Sequence, residues 1–199
     1  MAGSRTFVQE GIYDKFLEKA VEAAKAKKVG DPLLPDTENG PQISEEHTNK
    51  ILGYIAQGQK EGAKLLTGGR RIARPGYFLE PTVFAGVTDD MTIAKEEIFG
   101  PVMNVLKFKT VDEVIARAND TEYGLVAGVV TKDLDNAIEI SNGLRSGQVF
   151  VNCWMALNTN TPFGGFKSSG IGRELGENCL RNYLETKTVI IKRPERAMP

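Results

Sequence analysis

With 199 residues, 41% of them hydrophobic and 26% charged, the chain has the size and composition of one large soluble domain, or of one domain with an appendage. Its 25 basic and 26 acidic side chains leave a net charge of −1 with the signs mixed along the sequence. That balance excludes nucleic acid and an anionic membrane surface as expected partners, and no run nears the roughly 20 apolar residues that span a bilayer. Two cysteines, one histidine and no Cys-x-x-Cys point to a reducing, cytoplasmic setting, with neither a disulfide framework nor a metal expected.

Ile12, Phe16, Leu17, Ala20, Val21 and Ala24 recur at helical spacing, with Lys25, Lys27 and Lys28 toward the end and Gly30 beyond, which predicts an amphipathic helix. The polar, turn-rich residues 31–41 read as a loop. Ser44, followed by Glu45 and Glu46, predicts the cap of a second helix carrying Ile51, Leu52 and Ile55, because a hydroxyl accepts from an unpaired first-turn amide and acids suit the positive end of the helix. Residues 64–67 read as a short strand closed by Gly68-Gly69, and apolar runs at 78–87 and 102–108 flank residues 94–101. Thr110 with Asp112 and Glu113 starts a third helix (Val111, Val114, Ile115, Ala118). The unbroken apolar residues 124–130 read as a strand buried on both faces. Residues 132–144, with Leu134, Ala137, Ile138 and Ile140, are helical in pattern, and residues 148–152 read as another strand. This alternation argues for an α/β fold, a parallel-rich sheet with flanking helices that contains 124–130 and 148–152. Residues 183–192 are rich in β-branched side chains (Thr186, Thr188, Val189, Ile190, Ile191) and follow a glycine-rich stretch, so they read as a strand standing away from that sheet, its edge open to another chain.

Ordered loops carry binding groups more often than packing groups, and Ala94-Lys95-Glu96-Glu97-Ile98-Phe99-Gly100-Pro101 sets two carboxylates and an aromatic before a Gly-Pro stop. Glu97 and Phe99 are two apart and share a face of an extended segment, where a carboxylate takes both hydroxyls of a ribose and a phenyl ring packs on a heterocycle. An N-cap acid and a core aromatic is the plainer alternative. Asn152-Cys153-Trp154-Met155-Ala156-Leu157 leaves a buried strand for an irregular loop, the place where α/β proteins put ligand contacts, although Trp154 alone reads equally as a half-buried core indole. Cys153 is a conceivable nucleophile; at the end of an apolar strand, burial would raise its pKa, and inert packing is the reading preferred for it and for Cys179. Gly164-Gly165-Phe166-Lys167-Ser168 is no phosphate loop, because Phe166 stands where the glycine before the lysine belongs.

Together with Pro162-Phe163-Gly164-Gly165-Phe166-Lys167-Ser168-Ser169-Gly170 and Gly172-Arg173-Glu174-Leu175-Gly176, the octapeptide at 94–101 resembles the NAD(P)-dependent aldehyde dehydrogenase superfamily, nearest the general and retinal aldehyde dehydrogenases. The resemblance runs over residues 2–192 with the motifs in the family's order and spacing, and it covers only the C-terminal part of such an enzyme. It implies oxidation of a small aldehyde to a carboxylic acid through a cysteine thiohemiacetal, with NAD or NADP as acceptor. It places the nucleophile immediately before Met1 and the general base, the oxyanion-hole asparagine and the whole coenzyme domain further N-terminal. Glu97 and Phe99 carry over as coenzyme contacts at the nicotinamide end; Trp154, Leu157 and Phe163 as the apolar wall of the aldehyde tunnel; Glu174 as an accessory group, unless it pairs with Arg173; Arg173 and Glu185 as a charge network near a subunit interface. The implied division is a catalytic-domain-like region at 1–168, a glycine-rich and helical connector at 169–183 and an oligomerisation strand and tail at 184–199. Two expectations follow: the 199 residues alone neither turn over aldehyde nor bind coenzyme appreciably, and they form a homo-oligomer or pair with a full-length subunit.

Overall fold

The computed structural model describes residues 3–193. In chain order the elements are β1 (Arg5–Gln9), α1 (Tyr13–Ala26), α2 (Glu45–Lys60), β2 (Lys64–Thr67), β3 (Thr82–Ala85), α3 (Thr92–Lys95), β4 (Val102–Phe108), α4 (Val111–Asn119), β5 (Tyr123–Gly124), β6 (Val126–Val129), α5 (Leu134–Gly143), β7 (Gln148–Val151) and β8 (Phe166–Lys167). The predicted caps form. Ser44 accepts from the His47 amide at 3.1 Å and Thr110 from the Glu113 amide at 3.2 Å, each satisfying a donor that the first turn leaves unpaired. The strand over 64–67 has its predicted bounds.

Four strands make the main sheet in the order β1-β4-β3-β2, parallel except for β2, which runs antiparallel to β3. Side chains alternate across a strand, and each strand here sends neighbouring residues to opposite layers. Phe7, Leu65, Phe84 and Leu106 meet Ile51 and Ile55 of α2 with Ile93 and Ile98, whereas Val8, Leu66, Val83 and Val105 meet Tyr13, Phe16 and Leu17 of α1. The sheet is therefore filled from both sides, and central Val105 and Leu106 are fully buried. At about 1.5–3 kcal/mol for each fully buried side chain, these two layers carry most of the stability. Strand β1 was not anticipated; its pairing with β4 is what closes both layers.

A second lobe follows α4. Strands β6 and β7 pair parallel across α5, and β5 pairs antiparallel with β8. Lys167 ties β8 to the end of α4 by donating to the carbonyls of Asn119 at 2.7 Å and Thr121 at 2.8 Å, which suits the negative end of that helix. At Gly147 a Cβ would stand 1.6 Å from the Gly164 carbonyl oxygen, so only glycine lets β7 begin against the glycine-rich hairpin.

Three expectations change. Residues 124–130 and 148–152 lie outside the main sheet, as a separate parallel pair. Residues 124–130 are not buried on both faces either: the run breaks at Leu125 into β5 and β6, and Val130 is 91% exposed. Among the described residues each of β6 and β7 has one partner strand and α5 as cover, which leaves a face open. Residues 183–191 form no strand. After a 3-10 helix at Glu177–Asn182 the backbone finds no ladder partner among the described residues, and Tyr183, Leu184, Val189, Ile190 and Ile191 stand exposed. Residues 194–199 of the predicted tail lie outside the described ones.

Candidate functional site

The segment 94–101 leaves α3 and enters β4. Its anchors are specific. Ile98 is buried in the α2-side layer, and a Cβ at Gly100 would stand 2.8 Å from Ile51, so the backbone lies directly on that helix. Glu61, just past α2, accepts from the Thr92 amide at 2.8 Å and the Thr92 hydroxyl at 2.6 Å; these bonds, the hydroxyl's first, hold its carboxyl below the ordinary carboxylate range. The Tyr54 hydroxyl donates to Glu96 at 2.7 Å, and its pKa is pushed up first by that hydrogen bond, which holds the proton, then by burial and by the carboxylate's charge. Between these anchors Glu97 is half-buried and Phe99 is 69% exposed at φ +56°. A bulky side chain in the left-handed region is strained by about 1–3 kcal/mol and persists only where its surroundings impose it. The even spacing of an extended segment thus fails at Phe99: the chain turns there. The alternative of a core aromatic fails too, since the ring faces out.

Beside this segment α2 offers a shallow depression lined by Lys50, Gly53, Tyr54 and Gln57, with Thr92 from α3. Residues 50, 53, 54 and 57 fall on one helical stripe, a pattern visible in the sequence that the apolar periodicity of the adjoining face overshadowed. Lys50 is the one cation among them.

The loop after β7 is also strained. Asn152 and Met155 take φ +54° and +58°, and Asn152 closes the strand end by accepting from the Thr131 amide at 2.9 Å. The Trp154 indole folds back on the parallel pair, edge-on to Phe150 with ring centroids 5.7 Å apart. Its ring atoms stand 3.0 Å and 3.8 Å from where a Cβ would begin on Gly128 and on Gly3, so the loop reaches the N-terminal segment. Trp154 and Leu157 are each 45% exposed. Phe163, half-buried, belongs to the hairpin: its amide donates to the Glu174 carbonyl at 2.7 Å, and the Glu174 amide returns the bond at 2.8 Å.

Cys153 is exposed, so the burial invoked against its reactivity does not exist; no hydrogen bond to a base is formed by it among the described residues. Arg173 donates to the carbonyls of Gly165 and Gly172 at 2.8 and 2.7 Å and covers the Phe166 ring. It makes no ion pair with Glu174 or Glu185 within the described chain, and both carboxylates are exposed. Among the described residues no group of three metal-ligating side chains occurs, and no helix is long and apolar enough to cross a membrane.

The model of the aldehyde dehydrogenase family matches residues 1–189. Mitochondrial aldehyde dehydrogenase of Mesocricetus auratus is 58% identical over 195 residues, 98% of this chain and 39% of that protein. Retinal dehydrogenase 2 of Gallus gallus is 56% identical, over 98% of this chain and 38% of its own length. The aldehyde dehydrogenase of Bacillus cereus, solved as its NAD+ complex, superposes with a TM-score of 0.91 at 48% identity, over 94% of this chain and 38% of that one. The chain thus spans about two fifths of the length of these relatives.

Proposed function

Because the chain belongs to the aldehyde dehydrogenase family, we propose that it is the C-terminal catalytic-domain portion of an enzyme that oxidises aldehydes to carboxylic acids through a cysteine thiohemiacetal, and that residues 94–101 face a nicotinamide coenzyme. The observation that carries this is Phe99, a strained and exposed ring held beside the half-buried Glu97. The donor set fits the nicotinamide end: Glu97 accepts from the ribose hydroxyls and Phe99 covers a flat heterocycle. Lys50 stands on the neighbouring depression as a cation for a phosphate. Bound NAD or NADP supplies the hydride acceptor. Trp154, Leu157 and Phe163 line the aldehyde's approach, and the Trp154 loop, against Gly3, presents its apolar surface toward the N-terminal segment. Arg173 fixes the hairpin through Gly165, and Glu174, exposed on the same hairpin, serves as an accessory group.

The 199-residue polypeptide by itself neither turns over aldehyde nor holds coenzyme tightly. Neither cysteine carries a hydrogen-bonded base among the described residues, and two contacts at one end of a dinucleotide leave most of the binding energy unrealised. The test is an NMR titration of the pure chain with nicotinamide mononucleotide at millimolar concentration, beside an NADH assay with propionaldehyde. Shifts confined to Lys50, Tyr54 and residues 96–99 with no NADH above a buffer blank are expected. A titration that leaves Glu97 and Phe99 unmoved removes the coenzyme-facing reading. NADH formation removes the expectation of inactivity.

The exposed apolar residues 184–191 favour a second role alongside the first, pairing with another copy or with a longer subunit of the same family by adding a strand to its sheet edge.

A further inference from the structure

We propose that the Tyr54 hydroxyl is a positioning group that keeps Glu97 and Phe99 presented, acting through Glu96 and touching no ligand itself. The proposal rests on the coenzyme-facing reading of those two residues. Residues 97–99 make no backbone hydrogen bond among the described residues, so nothing in the local ladder dictates their shape. The bonds that bracket them run from the Glu96 amide to Thr92 and from the Val102 amide to Gly100, on either side of the strained turn. What spans the gap is α2. Ile51 lies under Gly100, and Tyr54, one turn further along the same face, donates to Glu96 at 2.7 Å. Two side chains of one helix thereby grip both ends of a five-residue segment, while Ile98 pins its middle in the core.

Of these grips, the two apolar ones fix depth and only the polar one fixes direction. Without the Tyr54–Glu96 bond the segment keeps its seat, but Phe99 becomes free to leave φ +56° for the ordinary negative region, which turns the ring away from its neighbour. Coenzyme affinity then falls by the fraction of time the presented form is lost. The hydroxyl can be removed cleanly, because the Tyr54 ring packs against the α2-side core and a phenyl ring keeps that contact.

The experiment compares amide hydrogen exchange at position 96 and at Val102, whose bonds to the Thr92 and Gly100 carbonyls bracket the segment, in the 199-residue chain and its variants. Y54F is expected to exchange about fivefold faster there, the factor that corresponds to the roughly 1 kcal/mol of an ordinary hydrogen bond, while the amides of residues 103–106 are unchanged. E96A, an exposed substitution that leaves the core alone, is expected to match it, and E96Q, which keeps an acceptor, to retain most of the protection. The double variant Y54F/E96A should exchange no faster than either single one, since both remove the same bond. Unchanged exchange in a folded Y54F, or additive effects in the double variant, overturns the proposal. A nicotinamide mononucleotide titration of the same proteins separates the two readings. A Phe99 response present in the wild type and weakened several-fold in Y54F supports the positioning role. Faster exchange in Y54F without any Phe99 response in the wild type overturns the coenzyme-facing reading, and the positioning role with it, although the bond itself is real.

Discussion

Replacing Phe99 by alanine and by glycine separates backbone strain from ring chemistry. Both substitutions delete a ring that is 69% exposed, so both lose the same small amount of packing and differ only in the backbone. At φ +56° a Cβ costs roughly 1–2 kcal/mol, which F99A retains and F99G sheds. Glycine gives back about 0.4–1 kcal/mol through its freer unfolded chain. F99G should therefore be the more stable of the two by about 0.5–1 kcal/mol, inverting the order seen wherever φ is negative. At about 2–4 °C per kcal/mol for a chain of this size, the gap in Tm is about 1–4 °C, within reach of paired thermal melts by circular dichroism. Both variants should meanwhile lose the nicotinamide mononucleotide response at Glu97. F99A melting at or above F99G would refute the strain, and a wild-type titration in either variant would refute the role of the ring.

Gly147→Ala drives a Cβ into the Gly164 carbonyl and should destabilise the second lobe by more than about 3 kcal/mol; exchange at residues 126–129 is expected to collapse while residues 103–106 stay protected, and a wild-type pattern would contradict the close approach. Hydrogen bonds from Lys27, Thr92, Thr88 and the Lys109 amide hold Glu38, Glu61, Asp90 and Glu113 below their ordinary pKa. Depressed carboxyls stabilise fully above the ordinary carboxylate range and lose that contribution as pH falls through the lowered values, so Tm should hold from neutrality to about pH 5 and drop below about pH 4, with E61Q flattening the drop. Removal of residues 184–199 should reduce concentration-dependent association in analytical ultracentrifugation, and an unchanged profile would remove the pairing role of 184–191.

Helix starts were legible because a cap is a local device: Ser44 and Thr110 needed only a first-turn amide three residues ahead, and that spacing is written in the chain. Strands depended on partners the sequence does not display. Residues 124–130 and 183–191 have the side chains of paired strands, and the first breaks into two short pieces with one neighbour each while the other finds none among the described residues. Strand β1 shows the converse: Arg5–Gln9 is an unremarked pentapeptide whose place is fixed by β4, more than 90 residues away. Burial followed pairing in each case, which is why the supposed buried strand shows an exposed Val130 and the supposed buried thiol of Cys153 lies at the surface.

The segments marked from sequence as chemical share a property that composition does not reveal. Among the described residues, the non-glycine positions with positive φ are Phe99, Asn152, Met155, Lys167 and Leu175, and every one of them lies in the octapeptide, in the loop after β7 or in the glycine-rich motifs. Main-sheet strands and long helices contribute none. A fold that accepts strained backbone only there is holding side chains at angles that relaxed chain would not give, and the means differ from place to place. Lys167 is held by two carbonyls at the end of α4, Asn152 by the Thr131 amide it caps, and Phe99 by α2 at both ends of its segment. Lys167 and Asn152 spend their strain on joining elements, since the side chain of each is hydrogen-bonded within the protein. Phe99 and Met155 differ, because their apolar side chains are exposed, Phe99 the more so at 69% against 42%. The proposed coenzyme contact at Phe99 rests on that exposure rather than on the presence of strain.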